Sequence, residues 1–346
     1  MSPEKIPDYT FSFSIGTPII TSHRALDRLP SILSSLGMDS PLWVIPEDAL
    51  QKRTLSALVN TLFGREYLGK QSPVVQVPTA HTGSEYGEAK LKEPVSTYNG
   101  VVVCGDSEIA RAGRVYAERG KVPMILIPFG QSDTSEYTGG EDGSIIPSQA
   151  VVDGRLTRLA TPIGTARSIC FALLQVCTAL LETSNPMMVG TAQSAFFYAH
   201  QALERLVDSA NNRVSWVECT LSSAAAEHAA GICAQNRTNH AVLDFAERLA
   251  IPGLADRFQS AGALLPYVCM RLKRERESAY NVMQEAIMGM DPIEFTKAWL
   301  SLSDPKGTDR IIHYLCGDMH DLLTHPRNVR ELLPLLTLFP GKGGEQ

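Results

Sequence analysis

Apolar positions along this chain change their period about halfway. Before residue 160 they come in short unbroken runs, Leu42 to Ile45, Val74 to Val77, Val101 to Cys104 and Met124 to Ile127, too short for helices. Runs of that length bounded by Gly, Pro, Asp and Ser predict strands covered on both faces. Between them Asp48 to Phe63 and Ser107 to Arg119 carry helical spacing. Strands alternating with helices predict a parallel sheet with helices on both faces, whose ligands sit beyond the carboxyl ends of the strands. Ile145 to Val152 returns as an extended apolar segment. After Pro162 the pattern is helical throughout: Thr165 to Leu181, Met187 to Asp208, Leu221 to Ala230, Asn239 to Leu249, Leu264 to Met288, Pro292 to Leu302, Asp309 to Leu323 and Val329 to Leu336. The predicted organisation is an α/β domain over residues 1–158 and an all-α domain over 159–346, with an active cleft between them.

The α/β half has the order of a dinucleotide-binding, Rossmann-like unit, and its informative segment is Tyr98 to Glu136. An apolar strand enters the turn Cys104-Gly105-Asp106-Ser107, a helix follows to Gly120, and a second apolar strand ends at Pro128. A nucleotide turn offers backbone N–H groups and a helix N-terminus to a pyrophosphate, with glycines to let the phosphate approach. Here Asp106 stands in the turn, with the charge sign of that ligand. Asp106 or Ser107 also suits a plain helix N-cap. Either way the carboxylate competes with a dinucleotide.

Composition narrows the field. With 346 residues, 44% of them hydrophobic and 20% charged, the chain is an ordinary globular sequence. A net charge of −6 with scattered Lys and Arg leaves no basic stripe for nucleic acid. The start, MSPEKIPDYT, has no apolar signal core, and no run reaches the roughly 18 apolar residues of a membrane span. Seven cysteines lack paired spacing, and Cys170 and Cys177 fall two turns apart in one apolar helix, so reduced core thiols in a cytoplasmic protein are expected.

The order of the two halves, together with several local stretches, resembles the iron-containing alcohol dehydrogenase and dehydroquinate synthase-like superfamily, and within it the maleylacetate reductase branch. IGTPIITSHRALDRLPSILSSLG is similar to the family's opening strand and helix. IIPSQAVVDGRLTRLATPIGTARS is similar to its interdomain link, and HPRNVRELLPLLTLFPG to the reductase branch's C-terminus. The motifs that work in that family are altered. Its Gly-Gly-Gly-Ser turn is Cys104, Gly105, Asp106 and Ser107 here, and Gly113 stands at its lysine position. Its loop over the nicotinamide is Pro128 to Glu136, one residue longer and without the paired threonines. Of its metal-ligand positions, Phe171 and Gln175 replace two and Asn236 another, while His228 keeps one and His240 keeps an additional family histidine.

One strong nitrogen donor and two amides do not make a divalent metal site, so no metal is expected. Phe171 and Gln175 stand four residues apart on one helix face, as do Asn236 and His240, so the resemblance implies that they share the cleft. His228 and His240 are candidate acid or base groups, or satisfied surface histidines. Phe129, Gln131 and Ser132 are candidate substrate contacts, or a solvated turn. Tyr198 is a cleft or core residue.

Two function classes follow. One is metal-free, cofactor-free, non-redox chemistry on an apolar small molecule: a cyclisation, an isomerisation or an intramolecular cycloaddition, as in a pericyclase of secondary metabolism. Phe171 and Phe129 would form its walls and Gln175, Asn236 or Gln131 would donate to a carbonyl. The alternative is a metal-independent reductase of a small unsaturated or oxo acid using NADPH or NADH, as the resemblance implies; a further one is an inactive binding protein. A homodimer is expected by resemblance, with neither nucleic acid nor membrane as partner.

Overall fold

The computed structural model describes residues 16–47, 56–57, 59–60, 63–64, 73–77, 97–128, 145–156, 161–182, 185–208, 213–236 and 257–303. Six strands, β1 (Ile19–Ser22), β2 (Leu42–Pro46), β3 (Val74–Val77), β4 (Val101–Gly105), β5 (Met124–Pro128) and β6 (Gln149–Asp153), form one sheet in the order β1-β6-β5-β4-β2-β3. Every pairing is parallel, with Val101 opposite Met124 and Gly105 opposite Pro128. The expected strands are all present.

Both faces of the sheet are covered. Trp43, Ile45, Val102, Cys104, Ile125 and Ile127 pack under Leu26, Leu29 and Leu33, the last two from helix α1 (Leu29–Ser35). The alternate residues Leu42, Val44, Val101, Val103, Met124 and Leu126 pack under Ile109, Tyr116 and Ala117 of helix α2 (Ser107–Gly120). The unbroken apolar runs are thus explained: successive side chains point to opposite faces, and each face lies under helix. A buried side chain of this kind stabilises the fold by roughly 1.5–3 kcal/mol.

The second half is built around helix α3 (Pro162–Glu182), mostly apolar and, except at Arg167, buried from Thr165 to Leu180. It is long and apolar enough to cross a membrane, but 83% of its apolar window lies inside the protein. Around it stand α4 (Pro186–Asp208), α5 (Arg213–Gln235), α6 (Arg257–Glu275), α7 (Glu277–Ala286) and α8 (Pro292–Ser303). Two predicted helices differ from those observed. The segment predicted as one helix from Leu264 to Met288 is two, parted at Arg276, whose backbone leaves helical geometry. Its guanidinium turns back to donate to the Leu181 carbonyl from Nε and Nη2, both at 3.3 Å, satisfying the end of α3. Leu221 to Ala230 is only the middle of α5. The predicted helices 239–249, 309–323 and 329–336 lie outside the described residues.

Helix α5 joins the halves. Near its start Val217 lies by β6 and β1, where a Cβ on Gly154 would meet Val217 Cγ1 at 2.7 Å and His23 Cα at 3.0 Å. Near its end His228 Nε2 is 2.7 Å from the Thr17 carbonyl. The helix therefore runs antiparallel to β1 and covers the sheet's edge strand.

At the end of β6 Asp153, 3% exposed, accepts from the Leu26 N–H at 2.7 Å and from Arg155 Nε at 2.9 Å and Nη2 at 2.7 Å. Arg155 Nη2 also reaches Asp27 at 2.8 Å. This ties the last strand to the first helical turn as the chain leaves the sheet. Asp153→Ala leaves the arginine and the Leu26 N–H without that acceptor; we expect a loss of about 3 kcal/mol in urea unfolding, with α-helical circular dichroism retained in native buffer.

Candidate functional site

The β4 turn forms as its residues dictate. β4 is buried throughout and delivers Gly105 to a position where a Cβ would come within 2.6 Å of Ile109 Cβ. Asp106 follows in extended conformation as the N-cap of α2, Oδ1 accepting from the N–H of Glu108 at 3.2 Å and of Ile109 at 3.3 Å. The carboxylate therefore occupies the helix terminus at which a pyrophosphate would bind. Seven residues on, a Cβ on Gly113 would fall 2.1 Å from Val103 Cγ2. α2 lies too close to β4 there for any side chain, the lysine of the resembled family included.

The turn stands at the point where the strand order reverses, between β2 and β4, at the carboxyl end of the sheet. Ser107 is largely buried beside it. Phe129, Gln131, Ser132 and the rest of the loop to Glu136 lie outside the described residues, as does His240.

In the helical half, α3 brings Phe171 and Gln175 onto one face, as predicted. Phe171, 3% exposed, packs on Phe258 of α6 with centroids 5.1 Å apart and planes at 51°. Gln175 is 2% exposed, and among the described residues its Oε1 has no hydrogen-bond partner. An unmatched buried amide oxygen costs roughly 1–3 kcal/mol. Asn236, past the end of α5, donates from Nδ2 to the Ile232 carbonyl at 2.8 Å. Tyr198 is 37% exposed on α4, its ring edge-on to Phe197.

His228 lies elsewhere. Thr17 precedes β1, so the His228 ring sits at the amino end of the sheet, whereas Asp106 sits at the carboxyl end. Burial lowers its pKa and the bond to Thr17 partly offsets this. The ring bonds α5 to the segment ahead of β1. Sequence reasoning missed Phe258 and Thr17, both contacts across the fold; Phe258 precedes the predicted helix start at Leu264.

No family model and no curated protein matches the chain. Solved structures do. An iron-containing alcohol dehydrogenase from Corynebacterium glutamicum superposes with a TM-score of 0.68 at 14% identity, over 96% of this chain and 98% of that one. The maleylacetate reductase from Rhizobium sp. gives 0.66 at 14% identity, over 96% and 98%. The sulfoacetaldehyde reductase from Bifidobacterium kashiwanohense, solved in complex with NAD+, gives 0.61 at 16% identity, over 96% and 93%. This chain has the iron-containing alcohol dehydrogenase fold.

Structures with this fold are named for iron, and one was solved with NAD+. A dinucleotide's pyrophosphate meets the Asp106 carboxylate, and the two do not fit together at one helix terminus. Iron needs several strong donors, and α3 offers a phenyl ring and a carboxamide. Among the described residues no three His, Cys, Asp or Glu side chains converge on a metal position.

The His228 contact predicts a pH dependence. Its folded pKa lies below the ordinary 6.5, so the unfolded chain takes up the proton first and stability falls as pH drops from 6.5 through the folded value. His228→Gln keeps a donor for Thr17 but cannot titrate. Urea unfolding at pH 7.5 and pH 5 should show a larger acid loss in wild type than in the variant.

Proposed function

We propose that this chain is an enzyme that uses the dehydrogenase fold for non-redox, metal-free chemistry on an apolar small molecule: a cyclisation, an isomerisation or an intramolecular cycloaddition. The observation that carries this reading is the Asp106 carboxylate bonded to the Glu108 and Ile109 N–H groups. At ~4 Å and an effective dielectric of ~20, a second negative charge beside it costs about 4 kcal/mol, roughly a thousandfold in affinity. Reactions that rearrange bonds within one molecule need neither an external hydride nor an electron acceptor, so such a site loses nothing by excluding the dinucleotide.

The chemistry left to the protein is positioning. A wall that holds one reactive conformer lowers the barrier of a unimolecular reaction by several kcal/mol. This reading assigns the apolar wall to Phe171, packed on Phe258, and the polar contact to Gln175. The cytoplasm suits this reading, because the six described cysteines are all free and buried. A homodimer remains part of the proposal.

Titration with NADPH and NADH, followed by nicotinamide fluorescence, tests it. Wild type should show no saturable binding up to about 1 mM, and Asp106→Asn, which keeps a cap but removes the charge, should bind measurably tighter. Micromolar binding by wild type would overturn the reading in favour of an NAD(P)H-dependent reductase of a small unsaturated or oxo acid. An unimproved Asp106→Asn would remove the charge argument.

A further inference from the structure

The turn between α7 and α8 carries an apolar side chain where the fold gains little from one. Met288 has a φ of 57°, in the left-handed region that strains a residue with a Cβ, and its side chain is 74% exposed. Glycine meets the same backbone demand without strain, as Gly289 does beside it at 85°. The turn is closed by backbone and amide groups. Met288, Gly289 and Met290 donate their N–H groups to the carbonyls of Glu285 at 3.2 Å, Gln284 at 2.9 Å and Ile287 at 3.1 Å, and Gln284 Nε2 donates to the Gly289 carbonyl at 3.1 Å. No sulfur takes part in these bonds. A strained residue that repays nothing in packing calls for a role outside the fold, and what methionine brings to position 288 is an accessible thioether.

The surroundings of the other sulfurs single that thioether out. A thiolate ordinarily reacts with peroxide ahead of a thioether, but the six described cysteines are all buried, and burial pushes the Cys219 and Cys233 thiols up to about 12. Little reactive thiolate is left at pH 7. Of the described methionines, Met38, Met124, Met188 and Met283 are at most 2% exposed, Met270 is partly buried, and Met187 and Met290 reach 49% and 41%. Met288 is the most open of them. We propose that Met288 is the first site of oxidation by hydrogen peroxide, a surface modification site that takes up the oxidant ahead of the buried thiols and thioethers. The Sδ lone pair attacks one peroxide oxygen, the S–O bond forms as the O–O bond breaks, and the departing hydroxide takes a proton and leaves as water. Sulfur gives up two electrons and the peroxide accepts them. The polar sulfoxide then projects into solvent from a turn whose hydrogen bonds do not use it, so the fold is retained. None of this involves Asp106 or a substrate.

The test treats the full chain with hydrogen peroxide at pH 7, stops the reaction at intervals, unfolds and alkylates the protein, and reads each residue by mass spectrometry. Met288 should gain an oxygen first, roughly tenfold or more faster than Met283, the buried methionine of the preceding helix. Over that interval Cys104, Cys170, Cys177, Cys219, Cys233 and Cys269 should still alkylate fully and the melting temperature should hold. Met288→Leu should lose the fastest phase of peroxide consumption and leave the buried residues unoxidised. Met288→Gly should melt no lower than wild type, because it relieves the backbone at 288. Equal rates at Met288 and Met283, earlier oxidation of Met187 or of a buried thiol, or a melting temperature that falls in step with Met288 oxidation would overturn the proposal. So would a Met288→Gly variant that melts lower.

Discussion

A helix terminus has few free N–H groups, and whatever anion takes them excludes the next. In this chain the N-terminus of α2 is taken from within, by Asp106. The surrounding structure is arranged around that fact. β4 ends in a glycine because a side chain at 105 would strike Ile109, the first apolar residue of the helix that Asp106 caps. The helix then settles onto β4 so closely that position 113 has room only for hydrogen. Capping and close packing reinforce one another: the cap fixes where the helix starts, and the glycines let it lie flat on the strand.

The two halves meet through backbone as much as through side chains. His228 bonds a carbonyl ahead of β1 across the two halves, while within the α/β half Asp153 of β6 bonds an N–H just beyond the same strand. Both ties involve the edge strand, the element with an unpaired side, and α5 covers that side along its length. The His228 bond at the amino end of β1 and the packing of Val217 beside Gly154 and His23 at its carboxyl end together fix the helical half against the sheet. Phe171, Gln175 and Phe258 take no part in these ties and lie buried within the helical half.

Much of this was legible in the residues. The strands were visible because burial on both faces leaves no polar alternation to blur them, and the Asp106 cap because its signal is local, spanning three residues. α5 was seen only in part. Its centre, Ser222 to Gly231, is rich in small residues, and the helix packs on both α4 and the sheet, so it has no single apolar stripe to set a period. α6 was placed too late because Pro266 resembles a helix start, whereas here it lies well inside the helix. The Phe171 and Phe258 contact joins residues far apart in sequence, and no local pattern encodes it. His228 was assigned by resemblance to the working cleft, while its position along α5 relative to β1 is a property of tertiary packing alone.

The changes at 106 and 113 act in the same electrostatic direction, and they are coupled by sterics. Relative to the resembled motif, the turn gains a negative charge while the helix behind it lacks a positive one. Removing the aspartate's charge restores at most one of these terms. Restoring the other requires a side chain whose Cβ would fall 2.1 Å from Val103 Cγ2, and so requires Val103 or α2 to shift. A core packed at crystal-like density does not yield that distance without repacking several residues. On the reading proposed above, regaining both terms therefore takes a change at 106 together with repacking around Val103.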